Sequence, residues 1–396
     1  MPKAVKSGQA AKSSGRTAFR ALAALTVLGL SAALPVASGD GATAVARSGP
    51  TAGAFREAAR LPFTQRYRAV QHGGLVRASN AGISCGRRAA DDSRTCRAVK
   101  RGAAGVNEDF DMFYSDLDRD PNTYNSTRAE LKVPAGARIT YARLYWGGNL
   151  RVGEQKPPED NGRVLVAEPG GEYKEVLADT VVGHRDAADS DAYQASADVT
   201  PLIRARGAGV WTVAQLNIAM GQSEAGAWGG WTLVAAYEHP DEPLRELSLW
   251  DGFERVEDRE APAAGTEGEE AAGLTLRLDG LSVPAGGAGR AGFVAYDGDR
   301  GALGDSLGVT ADSGRRVRLS DAENPFNDVM NSTITEFGRP GFQRRPEHVN
   351  TLGYDADVFD LAPALSGGAR SLSFRFGAES QGYVLGVLFV QADARR

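Results

Sequence analysis

Acidic residues are the positions at which this sequence could do specific chemistry. Asp116, Asp118 and Asp120 alternate within FDMFYSDLDRDPNTYNST, with Asp109, Asp111 and Asn122 beside them. Asp355, Asp357 and Asp360 follow Gly353, and Asp297 and Asp299 flank Gly298. Carboxylates at positions 1, 3 and 5 of a loop can converge on Ca2+, a hard cation that takes oxygen ligands. The likeness to a helix–loop–helix calcium site ends there. Its sixth position needs Gly and is Pro121, and its twelfth needs Glu and is Thr127. Calcium on Asp116, Asp118 and Asp120 is thus the one cofactor the sequence offers, through a loop between strands. The favoured alternative is that these aspartates cap their own turns.

Hydrolytic chemistry finds less support. Gly304-Asp305-Ser306-Leu307-Gly308 spells both GxSxG and GDSL, but a nucleophile elbow needs an apolar strand running straight into the turn. DGDRGAL stands there instead. The four histidines, His72, His184, His239 and His348, show no HxH or HxxxH spacing for a metal and no DxxH partner for the serine. Paired carboxylates of a glycanase would need to share a cleft. No Glu-x-Asp-x-x-Glu run supplies them, so such a pair would come from separate strands. Asn125-Ser-Thr and Asn331-Ser-Thr are glycosylation sequons in form only; their side chains are expected to bond local backbone.

The elements that must position these residues read as strands. In residues 209–220, Val210, Thr212, Ala214, Leu216, Ile218 and Met220 share one face of a strand. Residues 141–146 carry apolar groups on both faces, and 231–237 (WTLVAAY) and 383–390 are continuous apolar runs of interior strands. Residues 197–206 hold one short helical turn. Many short strands between Gly and Pro turns predict an all-β chain of antiparallel sandwiches.

A repeat organises them. Residues 131–149, LKVPAGARITYARLYWGGN, match 281–299, LSVPAGGAGRAGFVAYDGD: Leu131, Val133, Pro134, Ala135, Gly136 and Gly148 recur identically. Asp198-Val199 is echoed by Asp357-Val358, and Gly230-Trp231 by Gly382-Tyr383. The expected fold is two tandem jelly-roll-like sandwiches, 106–240 and 241–396, divided at the prolines of His239–Pro243. A lead-in of residues 47–105 precedes them, with an edge strand near Phe63, Tyr67 and Val70 and a turn at His72-Gly73-Gly74. Residues 254–273, rich in Glu, Ala and Gly, are expected as a mobile loop.

Address and charge narrow the function. Lys3, Lys6, Lys12, Arg16 and Arg20 precede the apolar run 21–36 and small residues follow, so residues 1–46 read as a signal peptide for the general secretory route. The alternative is an uncleaved anchor that tethers the protein to a membrane. Cys85 and Cys96, the only cysteines, are then expected as a disulfide that stabilises the lead-in by about 3 kcal/mol. The net charge of -5 excludes nucleic acid and anionic lipid as partners.

The segments FDMFYSDLDRDPNTYNST (110–127), VPAGARITYARLYWGG (133–148), YQASADVTPLI (193–203), GGWTLVAAYEHP (229–240), FVAYDGDRG, NPFNDVMNSTI and NTLGYDADVFDL resemble a family of exported proteins of Gram-positive bacteria. In that family the module often stands at the N-terminal end of long surface proteins. The resemblance covers about residues 63–392 and implies no catalytic activity or catalytic residue. The leading expectation is a secreted, non-enzymatic protein that binds a glycan, cell-wall or extracellular protein ligand. A secreted hydrolase is the alternative.

Overall fold

Period-two patterning becomes antiparallel ladders in the computed structural model of the protein, which describes residues 57–86, 92–118, 120–187, 189–257, 273–379 and 382–395. The expected signal peptide and nearly all of the expected loop 254–273 lie outside the described residues. Of that loop only 254–257 and Gly273 are described, and β12 below runs on to Val256.

The described chain begins with β1 (Leu61–Ala81), β2 (Ile83–Cys85), helix α1 (Asp92–Val99) and β3 (Met112–Tyr114). Cys85 in β2 and Cys96 in α1 form the expected disulfide. There follow β4 (Ser126–Leu131), β5 (Arg138–Asn149), β6 (Arg163–Ala167), β7 (Tyr173–Leu177), β8 (Thr180–Ala187) and β9 (Ser190–Asp198). Helix α2 (Thr200–Arg206) occupies the expected helical turn and leads to β10 (Gly209–Ala214) and β11 (Gly229–Glu238). Past the prolines come β12 (Leu244–Val256), β13 (Leu274–Val283), β14 (Gly289–Tyr296), β15 (Ser306–Ala311) and β16 (Arg316–Arg318). The chain closes with β17 (Arg344–Arg345), β18 (Tyr354–Asp355), β19 (Val358–Asp360), helix α3 (Ala362–Leu365), β20 (Ala369–Gly377) and β21 (Tyr383–Asp393).

These strands make two inner and two outer sheets, with β2 and β3 paired apart from them. The inner pair reads β8-β9-β5-β11-β1 on one side and β1-β12-β21-β14 on the other, with β18 and β19 both on the far edge of β14. The outer sheets are β17-β4-β10-β6-β7 and β13-β20-β15-β16. Trp231 of the first inner sheet donates to Thr127 Oγ1 of the first outer sheet at 2.8 Å. Phe293 of the second inner sheet meets Phe376 of the second outer sheet edge-on at 6.4 Å. The inner sheets also touch each other: Gln194 Nε2 on β9 donates to the carbonyls of Gly252 and Gly386 at 2.8 and 3.3 Å. A Cβ on Gly386 would stand 2.0 Å from Gln194 Oε1, so only glycine permits that approach. Apolar residues on both faces of 141–146 therefore mean a strand packed on both sides, as the pattern suggests.

Two expectations are corrected. Residues 61–81 are neither an edge strand nor turned at His72-Gly73-Gly74. They form one strand, paired to β12 through His72 and to β11 from Gly73 onward. Gly73, at φ 143°, marks the change of partner, and a Cβ there would meet Tyr237 O at 2.0 Å. The second correction concerns 209–220, whose strand stops at Ala214. Gln215 takes φ 63°, and the Asn125 side chain replaces a neighbouring strand by accepting from Leu216 N and donating to Leu216 O. Polar atoms off the alternating pattern thus end the ladder.

Where the inner sheets meet lies Asp251 of β12, a buried carboxylate. Arg66 of β1 grips it with Nε and Nη2 at 2.8 and 2.9 Å, Tyr145 OH donates at 3.0 Å, and Arg143 Nε stands at 3.5 Å. Removing the carboxylate leaves Arg66 without its two-point partner and the buried Tyr145 OH without an acceptor, while Arg143 keeps Asp179 and Ser196. Asp251→Ala is expected to cost about 3–5 kcal/mol in urea denaturation. The loss should appear in one cooperative transition; separate melting of the two halves would show that the inner sheets do not depend on each other.

Candidate functional site

A groove of about 430 Å3 crosses the edge of the second inner sheet. Its floor is a row set by register: Asp360 of β19 pairs with Arg290 of β14, which pairs with Gln391 of β21. Arg245 and Asp393, partners across β12 and β21, extend that floor. Phe337 forms the wall. The residue is 46% exposed although it belongs to a loop tied down on both sides. Phe337 N donates to Val358 O at 2.8 Å, and Glu336 and Arg339 exchange backbone bonds of 2.7 and 3.2 Å around it. Phe337 sits at φ 55°, a conformation costly for a side chain with a Cβ.

Beside the groove is a smaller, more enclosed pocket of about 50 Å3. Arg290 lines both. One step along β19 and β21, on the same faces, Val358 replaces Asp360 and Phe389 replaces Gln391. Arg77, Lys132, Glu336 and Phe342 complete the pocket. Arg290 Nη1 holds Glu336 Oε1 at 2.6 Å.

The aspartates singled out in the sequence mostly do other work. Asp357 Oδ1 accepts from Thr335 N and Oγ1, both at 2.6 Å, and Oδ2 accepts from Thr333 Oγ1 at 3.0 Å. Asp355 Oδ2 accepts from Ser332 N. Both aspartates are buried, and burial raises both carboxyls. The charge of Asp357 raises Asp355 further. Together they fix residues 332–335, the stem of the Phe337 loop. Asp360 alone of that trio reaches the groove.

Asp297 and Asp299 face Asn107. Its N donates to Asp299 Oδ1 at 3.0 Å and its Nδ2 reaches Asp297 Oδ1 at 3.3 Å. Burial pushes Asp297 up to about 7 and raises Asp299 further, with the Asp297 charge adding to it. Asp116 accepts from Ser126 Oγ at 3.0 Å, and Asp118 accepts from Asp120 N, Thr123 Oγ1 and Tyr173 OH. Asp120 caps Asn122 N at 2.9 Å. Among the described residues no group of three His, Cys, Asp or Glu side chains is placed to hold a metal. Asp109 lines a separate open groove near Arg300.

Ser306 of the GxSxG stretch opens strand β15 instead of standing on an elbow. Its neighbour Asp305 is buried, accepts from Val329 N and Met330 N, and is pushed up to about 7 by burial. His348 is half-buried and driven down to about 4 by desolvation, then by Lys100 and Arg344. His72 and His239 bond the carbonyls of Glu242 and Ala135, and the side chain of His184 lies outside the described residues. Both sequon asparagines are buried; Asn125 bonds the distant Leu216 backbone, not local backbone as expected, and Asn331 bonds Glu323 O.

Arg77, Arg245, Arg290, Phe337 and Asp393 were not singled out in the sequence. Arg77 alone left a trace, as a charge inside the apolar run LVRA.

No protein-family profile and no curated protein matches the chain. Among solved structures it is similar to a peptide-N(4)-(N-acetyl-β-D-glucosaminyl) asparagine amidase, 14% identical over 71% of this chain and 95% of that one, with a TM-score of 0.24. A recombinant peptide:N-glycanase F is 12% identical over 82% of this chain and 96% of that one, with a TM-score of 0.21. At these scores the likeness carries no functional argument. No helix among the described residues is long and apolar enough to cross a membrane.

Two outcomes test the acids. An unfolded aspartate loses its proton near pH 4, whereas folded Asp305 keeps it to about 7. Its contribution is therefore fully present below about pH 4, is lost as pH rises to about 7 and is flat above. His348, held neutral by the fold, acts in the opposite sense between about 4 and 6.5. Asp305→Asn removes only the first effect. Its melting temperature relative to wild type should rise by a few degrees from about pH 5 to about pH 7.5; a constant difference would mean that Asp305 is ionised in the fold. For Asp116, Asp118 and Asp120, millimolar Ca2+ and EDTA are expected to give the same melting curve. A Ca2+-dependent rise that Asp118→Ala abolishes would show that the loop opens to take a cation.

Proposed function

We propose that the protein is a secreted, non-enzymatic binding protein, built from two copies of one sandwich module, that holds a glycan in the groove beside Phe337. The observation that carries this reading is the exposed Phe337 ring, held at φ 55° against a row of Asp360, Arg290 and Gln391. A sugar ring offers an apolar C–H face to an aromatic side chain and hydroxyls to carboxylate, guanidinium and amide groups. Strain kept on an exposed aromatic side chain has no packing benefit to offset it, which favours a role in contact with a ligand. The signal peptide read at residues 1–46 and the Cys85–Cys96 disulfide support an oxidising, extracytoplasmic address.

The hydrolase alternative gains nothing specific. The carboxyls with raised pKa values bond internal donors, and those lining the groove are Asp360 and Asp393. Asp360 caps Ala362 N at 2.8 Å, and Asp393 accepts from Ala288 N at 2.9 Å.

The test is binding of the purified chain to a panel of glycans and cell-wall fractions. Phe337→Gly should lower the affinity by roughly tenfold or more, as loss of a contact anchor does. Because glycine relieves the backbone strain, the same variant should melt no lower than wild type. Retention of no glycan or wall fraction, or binding indifferent to Phe337, would overturn the reading. Release of new reducing ends would favour the hydrolase.

A further inference from the structure

We propose that the enclosed pocket beside the groove is an anion subsite, so that the glycan is an acidic one whose carboxylate docks on Arg77. The proposal rests on the glycan reading of the groove and adds the chemical class of the ligand.

Arg77 is 5% exposed and makes no ion pair among the described residues, although the charges of Asp357 and Glu336 reach it. Its guanidinium is fixed by neutral groups: Nη2 donates to Thr335 O, Nη1 reaches Ser79 Oγ at 3.4 Å, and the Phe342 ring centroid lies 5.1 Å away. Its Nε, buried, has no partner. Arg344, 6% exposed, repeats the arrangement on the adjacent carbonyl, with Nη1 3.5 Å from Ile334 O, Nη2 on His348 O and Nε unpartnered. Burial lowers the pKa of both, and Arg344 is lowered further by the charge of Arg77. Two neighbouring buried guanidiniums thus lie near the buried aspartates, and the charge of Asp357 acts on both. Buried charge of one sign in excess is costly unless an ion of the other sign arrives.

The pocket is shaped for such an ion. In its lining Arg290 and Glu336 neutralise each other, and Lys132 stands 4.0 Å from Glu130 outside the pocket, so the lining carries Arg77 and Lys132 against no further carboxylate of its own. A volume of about 50 Å3 admits a few waters or one carboxylate group. A guanidinium edge matches the two oxygens of a carboxylate, which a hydroxyl cannot imitate. Arg290 lines pocket and groove alike, so a ring against Phe337 and an acid group on Arg77 belong to one ligand.

The experiment is calorimetric titration of the purified chain with a uronic-acid oligosaccharide and with its carboxyl-reduced form. The acidic form should bind at least tenfold more tightly. That preference should vanish in Arg77→Met, whose cooperative melting checks that it folds, since methionine keeps the packing on Phe342 while giving up the bonds to Thr335 O and Ser79 Oγ. Lys132→Met, whose side chain is 58% exposed and safe to replace, should reduce the preference. Arg318→Met, on the second outer sheet, should leave it unchanged. Equal binding of both forms, still dependent on Phe337, would overturn the anion subsite and leave the groove standing. Binding of neither would overturn both. A peptide bound through its free C-terminus and not as its amide, with Arg77 required and no saccharide bound, would overturn the saccharide assignment.

Discussion

Asp251 is the buried charge on which the two inner sheets close. It draws Arg66 from β1 and Tyr145 and Arg143 from β5 onto a strand that belongs to the other half of the chain. A carboxylate removed from water this completely is tolerated only with several donors around it. Those donors come from β1 and β5 of the first inner sheet, so Asp251 on β12 is satisfied only when that sheet packs against it. β12 also carries Arg245 and pairs with β21, which carries Gln391 and Asp393. The contact that joins the halves therefore sets the floor of the groove as well.

Much of the fold was legible because burial on a sheet leaves a local record. The unbroken runs 231–237 and 383–390 became β11 and β21, interior strands of the two inner sheets. The cysteine pair and the short helix before Gly207 were equally plain. β1 was obscure for a physical reason. Its first half alternates charge with half-buried residues, and its Gly73-Gly74 looks like a turn. Nothing local reports that it pairs with two strands in succession.

The site was less legible still. Acidic spacing drew the eye to Asp355 and Asp357, whose side chains brace a loop from within. The groove instead takes one or two residues each from β12, β14, β19, β21 and the 336–339 turn. Each looks ordinary in its own segment: an arginine in an alternating strand, a phenylalanine before a glycine. Only register places Asp360, Arg290 and Gln391 in a row, and register between distant strands leaves no sign in a linear pattern.

β17 has one more consequence. Arg344 and Arg345 lie in the second half of the chain, yet they pair with Ala129 and Arg128 at the margin of the first outer sheet. As the chain emerges from the ribosome, β4 must therefore wait, its outward amides and carbonyls uncovered, until residues far downstream arrive. An uncovered strand margin invites pairing with other chains. Vectorial synthesis thus delivers a first half that cannot finish by itself, and a truncation before residue 344 would leave an adhesive rim in place of a smaller working protein.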